Sequence, residues 1–305
     1  MRCAICSECN GGRPPAGAVK TSTSVLASGV AILIGVLVAF AGSSEGLRWG
    51  GFPSFAWGAL LIFLVQWAVF VPSWFAHTEH FFDLTGSFTY LAVVALTLIS
   101  RGSTTPYSLL IAAMVTVWAL RLGAFLAARV RAAGSDSRFD AMKYCFAWFL
   151  MTWTLQGLWV LLTSGAALAA ITSPEDQQID GLTLLGVALW ALGFGIEVTA
   201  DEQKRRFRSR PENLNRFIDT GLWARSRHPN YFGEILLWFG VAVVAFPVLS
   251  GWNMVTLVSP LFVWLLLTRV SGVPLLESSA NRRWANDPEY EAYKASTPVL
   301  LFKMR

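Results

Sequence analysis

The stretch RSRHPNYFGE, Arg225–Glu234, decides how this 305-residue chain is read. An apolar run, Leu182–Val198, precedes it, and a second, Leu236–Leu249, follows directly. Arg225, Arg227, His228, Asn230 and Glu234 therefore crowd the end of a segment long enough to cross a bilayer. Charge in such a place is energetically expensive and is usually kept for a job. Outward from this stretch, 54% of the residues are hydrophobic and only 14% are charged, and the mean hydropathy is +0.51. That balance is far from a soluble globular domain. The 14 Trp and 21 Phe fit aromatic belts at the bilayer interfaces. The expected fold is all-α, a polytopic membrane helix bundle.

A hydrocarbon core needs about 20 apolar residues in a helix. The candidate spans are Val25–Ala41, Phe52–Ala76, Phe82–Ile99, Tyr107–Leu126, Tyr144–Ile171, Leu182–Val198, Tyr231–Leu249 and Val255–Thr268. Seven to eight helices are expected, because the first and third runs are the weakest. The fifth is long enough to tilt or break near Ser164-Gly165, and Pro274 is expected to break the last. Gly186, Gly193 and Gly195 are read as packing residues of the sixth, although they form no Gly-x-x-x-Gly pair.

Loop charge gives the orientation. Lys and Arg gather after the fourth, sixth and eighth spans, whereas Thr172–Gly181 and Ser250–Met254 contain neither. The positive-inside rule then places the three basic regions, with the N-terminus, on the cytoplasmic face. The net charge of +5 is modest, and no motif points to nucleic acid as a partner. Met1–Ser24 is Gly/Pro/Ser-rich and reads as a disordered tail, followed by an uncleaved first span. Cys3, Cys6 and Cys9 look like half of a metal site with no second half, and no metal is expected.

The polar residues around the quoted stretch carry the chemistry. Lys204 and Arg208 sit four apart and share a face if the sixth helix continues. Two cations on one face suit a phosphate, the Arg as a fork and the Lys as a point charge. Trp223 is placed to stack on a flat ring. Pro229 pushes His228 out of helical geometry. Asn230 both donates and accepts, Tyr231 offers a phenol, and Gly233 allows close approach. Glu234 can pair with Arg225, Arg227 or a ribose hydroxyl. Glu277 lies just inside the membrane edge, with Arg282 or Arg283 as its expected partner. Together these residues read as the mouth of a nucleotide site.

The run from Glu197 to Thr297 carries ADEQKRRFR, GLWARSRHPNYFGE, SGVPLLE and NRRWANDPEYEAYKASTPVL. It resembles the steroid 5α-reductase C-terminal superfamily, and within it the DUF1295 branch, which DSRFD (Asp136–Asp140) also resembles. The resemblance implies a single membrane domain over residues 25–305. Residues 25–180 would be its substrate-side helices and 181–305 its cofactor-binding half. It implies NADPH as cofactor and a carbon–carbon double bond in a lipophilic small molecule as substrate. Carried over, Lys204 and Arg208 would face phosphates, including the 2′-phosphate that marks NADPH. Ile218 and Trp223 would wall the rings, and Asn230 and Tyr231 would hold the diphosphate and nicotinamide half. Glu277 and Tyr293 match an acid and a tyrosine of the tail. Arg227, His228, Glu234 and Arg283 belong to the same cofactor-embracing segments.

The substrate half departs from that pattern. Steroid 5α-reductases place a Gln-Glu pair in an early helix, where this chain has Gln66-Trp67. The proton donor is therefore sought among Tyr231, Tyr90, Glu79 and His80, with Asp83 as orienter. Two other readings stand beside the reductase. Isoprenylcysteine carboxyl methyltransferases share an RHPxY segment and bind S-adenosylmethionine. A non-catalytic lipid-binding protein needs no cofactor at all.

Overall fold

The computed structural model describes residues 19–133, 136, 139–175 and 177–303. Most of the expected N-terminal tail, with Cys3, Cys6 and Cys9, lies outside the described residues. Among the described residues, eight helices are long and apolar enough to cross a membrane. Main-chain contacts divide the chain into two compact units. One runs to Gln178 and includes Ala245–Leu257; the other comprises Ile179–Val244 and Val258–Arg305.

The first unit begins with α1 (Thr21–Gly42), four residues longer at its start than the apolar run alone indicates. Its exposed face carries Leu33, Val36, Leu37 and Phe40, a surface suited to lipid rather than water. Two short strands, β1 (Arg48–Trp49) and β2 (Phe52–Pro53), pair antiparallel around Gly50 and Gly51. Both glycines have positive φ, 59° and 81°, the geometry of a two-residue hairpin turn. The chain then enters α2 (Ser54–Phe75), α3 (Phe82–Arg101) and α4 (Pro106–Ala133).

Helix α5 (Phe146–Ile171) is the centre of this unit, packed against α1, α2, α3 and α4. Its last two turns are small, Ser164-Gly165-Ala166-Ala167, and fully buried. The expected break near Ser164 does not occur. The Ser164 hydroxyl donates to the Val160 carbonyl at 2.6 Å, and Gly165 packs on Thr256. Both residues are accommodated inside the packed helix, which runs unbroken to Ile171. Phe70, Phe139, Phe149 and Trp153 form an aromatic core at the other end of α5.

The second unit is built on α6 (Gly181–Arg208) and α7 (Pro229–Ala245). Asp180 caps α6 by accepting from the Thr183 N–H at 2.8 Å. Of the three glycines expected to pack in α6, Gly186 and Gly193 do so, whereas a Cβ on Gly195 would meet nothing within 4 Å. A Cβ on Gly193 would lie 2.6 Å from the Gly233 carbonyl oxygen and 2.5 Å from the Leu237 nitrogen. One on Gly186 would lie 2.9 Å from the Gly240 carbonyl oxygen. The two helices therefore cross backbone to backbone, through glycines seven apart on each helix rather than four.

The last span differs from expectation. The chain runs through α8 (Ser259–Leu265), a π-turn (Leu266–Val270), α9 (Val273–Arg283) and α10 (Pro288–Ser296). The break falls at the π-turn and Gly272, ahead of Pro274. Pro274 sits in the first turn of α9, where its missing N–H has no intrahelical acceptor to lose.

Candidate functional site

Because α6 continues unbroken to Arg208, Lys204, Phe207 and Arg208 share one face at its end. Arg205 and Arg206 point elsewhere and are taken up by Glu202, at 2.7 and 2.5 Å. The chain after α6 folds back on this end. The Asn213 side-chain amide donates to the Phe207 carbonyl at 2.9 Å. Gly221, at φ 62°, lies tight against the Gln203 amide, which accepts from the Leu222 N–H at 2.9 Å. Trp223 is buried and donates its indole N–H to the Ala200 carbonyl at 3.0 Å. The Lys204 ammonium lies 4.4 Å from the centre of that indole.

Three further elements close the site. At the start of α7, Pro229 occupies the first helical position and leaves Arg227 and His228 outside the helix. From α9, Glu277 accepts from Arg227 Nη1 at 2.9 Å and meets His228 Nε2 at 2.8 Å. From α10, the Tyr293 hydroxyl donates to the Trp223 carbonyl at 2.6 Å. Phe217 packs within 5.2–5.8 Å of Tyr290, Tyr293 and Trp284.

These elements enclose a cavity of about 420 Å³, within the range of small-molecule sites. Five cations line it, Lys204, Arg208, Arg216, Arg227 and Arg283, against one carboxylate, Glu277. Arg227 is held by Glu277, and Arg283 donates to the Leu214 carbonyl. Among the described residues, no carboxylate or carbonyl pairs with Lys204, Arg208 or Arg216. An excess of unpaired cations around a cavity is the electrostatic complement of an anion with several oxygens.

Burial pushes the His228 imidazole below its ordinary value. Glu277 pulls it up, Lys204 and Arg227 push it down, and the net effect is downward. The neutral ring must then carry its proton on Nε2, because the Glu277 carboxylate only accepts. That leaves Nδ1 a bare acceptor, buried without a partner. Arg227 Nε and Asn230 Oδ1 are likewise buried and unpartnered. Burial also raises the phenols of Tyr290 and Tyr293, so both act as neutral donors at pH 7.

Of the residues expected to bind the cofactor, Lys204, Arg208, Ile218, Trp223, Arg227, His228, Glu277, Arg283 and Tyr293 line the cavity. Asn230, Tyr231 and Glu234 do not. Asn230 donates to Asp201 Oδ1 at 3.2 Å. The Tyr231 ring lies parallel to His228, with centroids 5.5 Å apart. Glu234 is a turn further along α7. The expected partners of Glu277 were Arg282 or Arg283; the structure gives it Arg227 and His228. Arg282 instead donates to Ser278 on its own helix at 2.9 Å, and Arg283 reaches Leu214. Sequence reasoning missed the aromatic wall of Phe217, Trp284 and Tyr290, and the cation Arg216. Their signal was the adjacency of cation and aromatic ring in Arg216-Phe217 and Arg283-Trp284.

The other candidate donors belong to the first unit. Glu79 is buried between α2 and α3. It pairs with Lys143 at 3.0 Å and accepts from the Asp136 N–H at 3.1 Å. Burial alone would raise its carboxyl; these partners outweigh that and hold it below the usual carboxylate range. Thr78 Oγ1 lies 2.8 Å from the ring of His80. Tyr90 is buried on α3 with its ring edge-on to Trp118 at 5.0 Å.

The match to DUF1295, a family described as a protein of unknown function, extends over residues 47–297, most of the chain. The protein belongs to the DUF1295 family. This DUF1295 protein is 29% identical over 128 residues to the rat "3-oxo-5-alpha-steroid 4-dehydrogenase 1", covering 42% of this chain and 44% of that one. It is 33% identical over 75 residues to the rat "3-oxo-5-alpha-steroid 4-dehydrogenase 2", covering 25% and 30%. It is also 26% identical over 161 residues to the "Probable O-methyltransferase ustE" of Ustilaginoidea virens, covering 46% and 55%. The chain thus spans roughly half or less of the length of these relatives. No solved structure matches. These likenesses, with the eight apolar helices, mark a multi-pass membrane protein of a steroid-reductase-like family.

Proposed function

We propose that this DUF1295 protein is an NADPH-dependent reductase of a polarised carbon–carbon double bond in a lipid or steroid-like substrate. The observation that carries the proposal is the cavity at the end of α6. Lys204, Arg208 and Arg216 line it, and among the described residues no carboxylate or carbonyl is hydrogen-bonded to their side chains. Phosphates supply the missing charge, and Phe217 and Trp223 supply flat walls for a base or ring. The rat relatives are named as steroid 4-dehydrogenases, and hydride chemistry on a steroid carbon fits an acceptor of that kind. Loop charge supports a cytoplasmic position for the site.

Bound at this site, NADPH would supply the hydride. The chain's own residues do the rest. Lys204 and Arg208 fix the phosphate end. Glu277 holds Arg227 and His228 at the cavity wall, and His228 keeps its proton on Nε2. Tyr231 stacks on His228 but stands outside the cavity lining, so a donor role for it requires a substrate that reaches beyond the cavity. Glu79, fixed as a carboxylate by Lys143, is better suited to orienting a group than to giving up a proton.

The likeness to a probable O-methyltransferase supports a second reading, in which the cavity takes S-adenosylmethionine. That molecule has no phosphate and leaves Lys204 and Arg208 unanswered. Thermal shift of detergent-purified protein separates the readings. A ligand at 100 times its Kd stabilises by about 2.7 kcal/mol, readily seen as a rise in Tm. Stabilisation by NADPH supports the reductase, and NADPH consumption is then surveyed across unsaturated lipids. Stabilisation by S-adenosylmethionine alone refutes it in favour of the methyltransferase. Stabilisation by neither points to a non-catalytic lipid-binding protein.

A further inference from the structure

After α10 the chain does not simply end. Thr297 is buried and donates its N–H to the Tyr293 carbonyl at 2.9 Å. The next residues run back along the start of α7 as a strap. The Arg227 N–H donates to the Pro298 carbonyl at 2.9 Å, and the His228 N–H to the Val299 carbonyl at 3.0 Å. The Ser226 hydroxyl donates to the Leu300 carbonyl at 2.9 Å. The Lys303 N–H closes the set by donating to the Arg225 carbonyl at 2.8 Å. Each residue from Arg225 to His228 is thus gripped by the tail, and the Phe302 ring packs edge-on against Phe232 at 5.2 Å.

The N–H groups just ahead of a helix need acceptors from outside it, and side chains usually provide them. Here main-chain carbonyls of the tail do so. Main-chain bonds fix the backbone of Arg227 and His228, and so fix the direction in which their side chains leave it. The same tail follows directly from α10, whose Tyr293 grips the Trp223 carbonyl on the opposite wall.

We propose that Pro298–Lys303 is a positioning strap, whose main-chain hydrogen bonds to Arg225–His228 set the reach of Arg227 and His228 to Glu277 and so shape the cation cavity. Its effect on cofactor affinity rests on the NADPH reading; its effect on His228 does not. Positioning is reciprocal: an anion seated on the cavity stabilises the strap by as much as the strap tightens the anion.

The test uses the full chain, a chain ended after Thr297, and Phe302→Ala. The first readout is the titration of His228 by NMR with ring-labelled histidine, assigned through His228→Gln. The groups facing that ring are Glu277 from α9, Lys204 from α6 and Arg227 beside it, with Tyr231 stacked on it. Without the strap, His228 loses its burial and its registry with Glu277. Its titration then moves up toward the ordinary histidine value while helix content is kept. The second readout is NADPH affinity, which falls about tenfold in the shortened chain, in the usual range of such couplings. Phe302→Ala shifts both in the same direction by less, and it decides the matter if the shortened chain does not fold. An unchanged His228 titration in the variants overturns the strap. A full chain that binds no NADPH refutes the reductase reading instead and leaves the strap to be judged on the titration.

Discussion

Lys204→Met gives the sharpest separation between a structural and a functional cation. The substitution removes the ammonium and keeps an unbranched apolar side chain beside Trp223. In the free protein Lys204 is drawn to the indole face at 4.4 Å, worth about 1 kcal/mol, and to the nearby Asp201 charge. Against this stands Arg208, four residues on along the same face, and like charges at that spacing repel by a few tenths of a kcal/mol. The net change in stability is therefore within about 1 kcal/mol. A charge-assisted hydrogen bond to a phosphate contributes about 1.5–3 kcal/mol, and each 1.4 kcal/mol is tenfold in affinity. NADPH affinity should fall about 10- to 150-fold while Tm moves by only a few degrees. Quenching of tryptophan fluorescence during NADPH and NADH titrations reads both affinities. If Lys204 meets the 2′-phosphate, NADH affinity is almost unchanged. NADPH affinity within twofold of the wild type, together with a large fall in Tm, refutes the reasoning and makes Lys204 structural.

Other substitutions test other parts of the structure. Gly193→Leu forces a side chain onto the Gly233 and Leu237 backbone. It should destabilise the second unit by at least the 1–3 kcal/mol of an overpacked core, read as lost helix content on heating in detergent. Glu79→Gln leaves Lys143, itself mostly buried, with only the exposed Asp140 carboxylate at 3.7 Å, and should lower stability by less than the about 3 kcal/mol of a fully uncompensated buried charge, read in a Tm measurement. The wild-type pair makes its own pH signature: the Glu79 contribution is present above the ordinary glutamate value and is lost as pH falls through the lowered one. His228 acts in a higher window. Its folded value is depressed, so its contribution is complete above about pH 6.5 and declines as pH falls through the folded value. Unfolding followed against pH should lose this acid sensitivity in His228→Gln.

Much of the fold was legible because the bilayer makes length and apolarity nearly sufficient. Each candidate span lies within a helical segment, but the sixth helix runs on to Arg208 and the last span is broken at a π-turn. One local error has a clear cause. Ser164-Gly165 looked like a break because sequence does not show that the serine bonds back to Val160 and that Thr256 fills the space beside the glycine. The packing role read for Gly186 and Gly193 holds; their spacing was a weak signal because the matching pair, Gly233 and Gly240, stands on another helix. In the site, residues fixed by helix periodicity were found, Lys204 and Arg208 above all. What the sequence hid was pairing across loops. Glu277 chose Arg227 and His228 over the arginines next to it, because those were already engaged on α9 and at Leu214. Asn230 and Tyr231 sit in the stretch that drew attention first, yet the turn at Pro229 aims them away from the cavity lining.

The glycine crossing works like a rivet. The backbone contact at Gly193 and Gly233 leaves no side chain to compress, so the separation of α6 and α7 is set there and a rocking motion of the pair pivots about it. Lys204 stands 11 residues beyond Gly193, about 16 Å along the helix, whereas His228 is only about 7 Å from Gly233. A rotation of about 5° therefore swings Lys204 by roughly 1.4 Å and His228 by about half as much. The long arm carries the phosphate-facing cation, so lateral pressure on the two helices is geared into the width of the anion's seat.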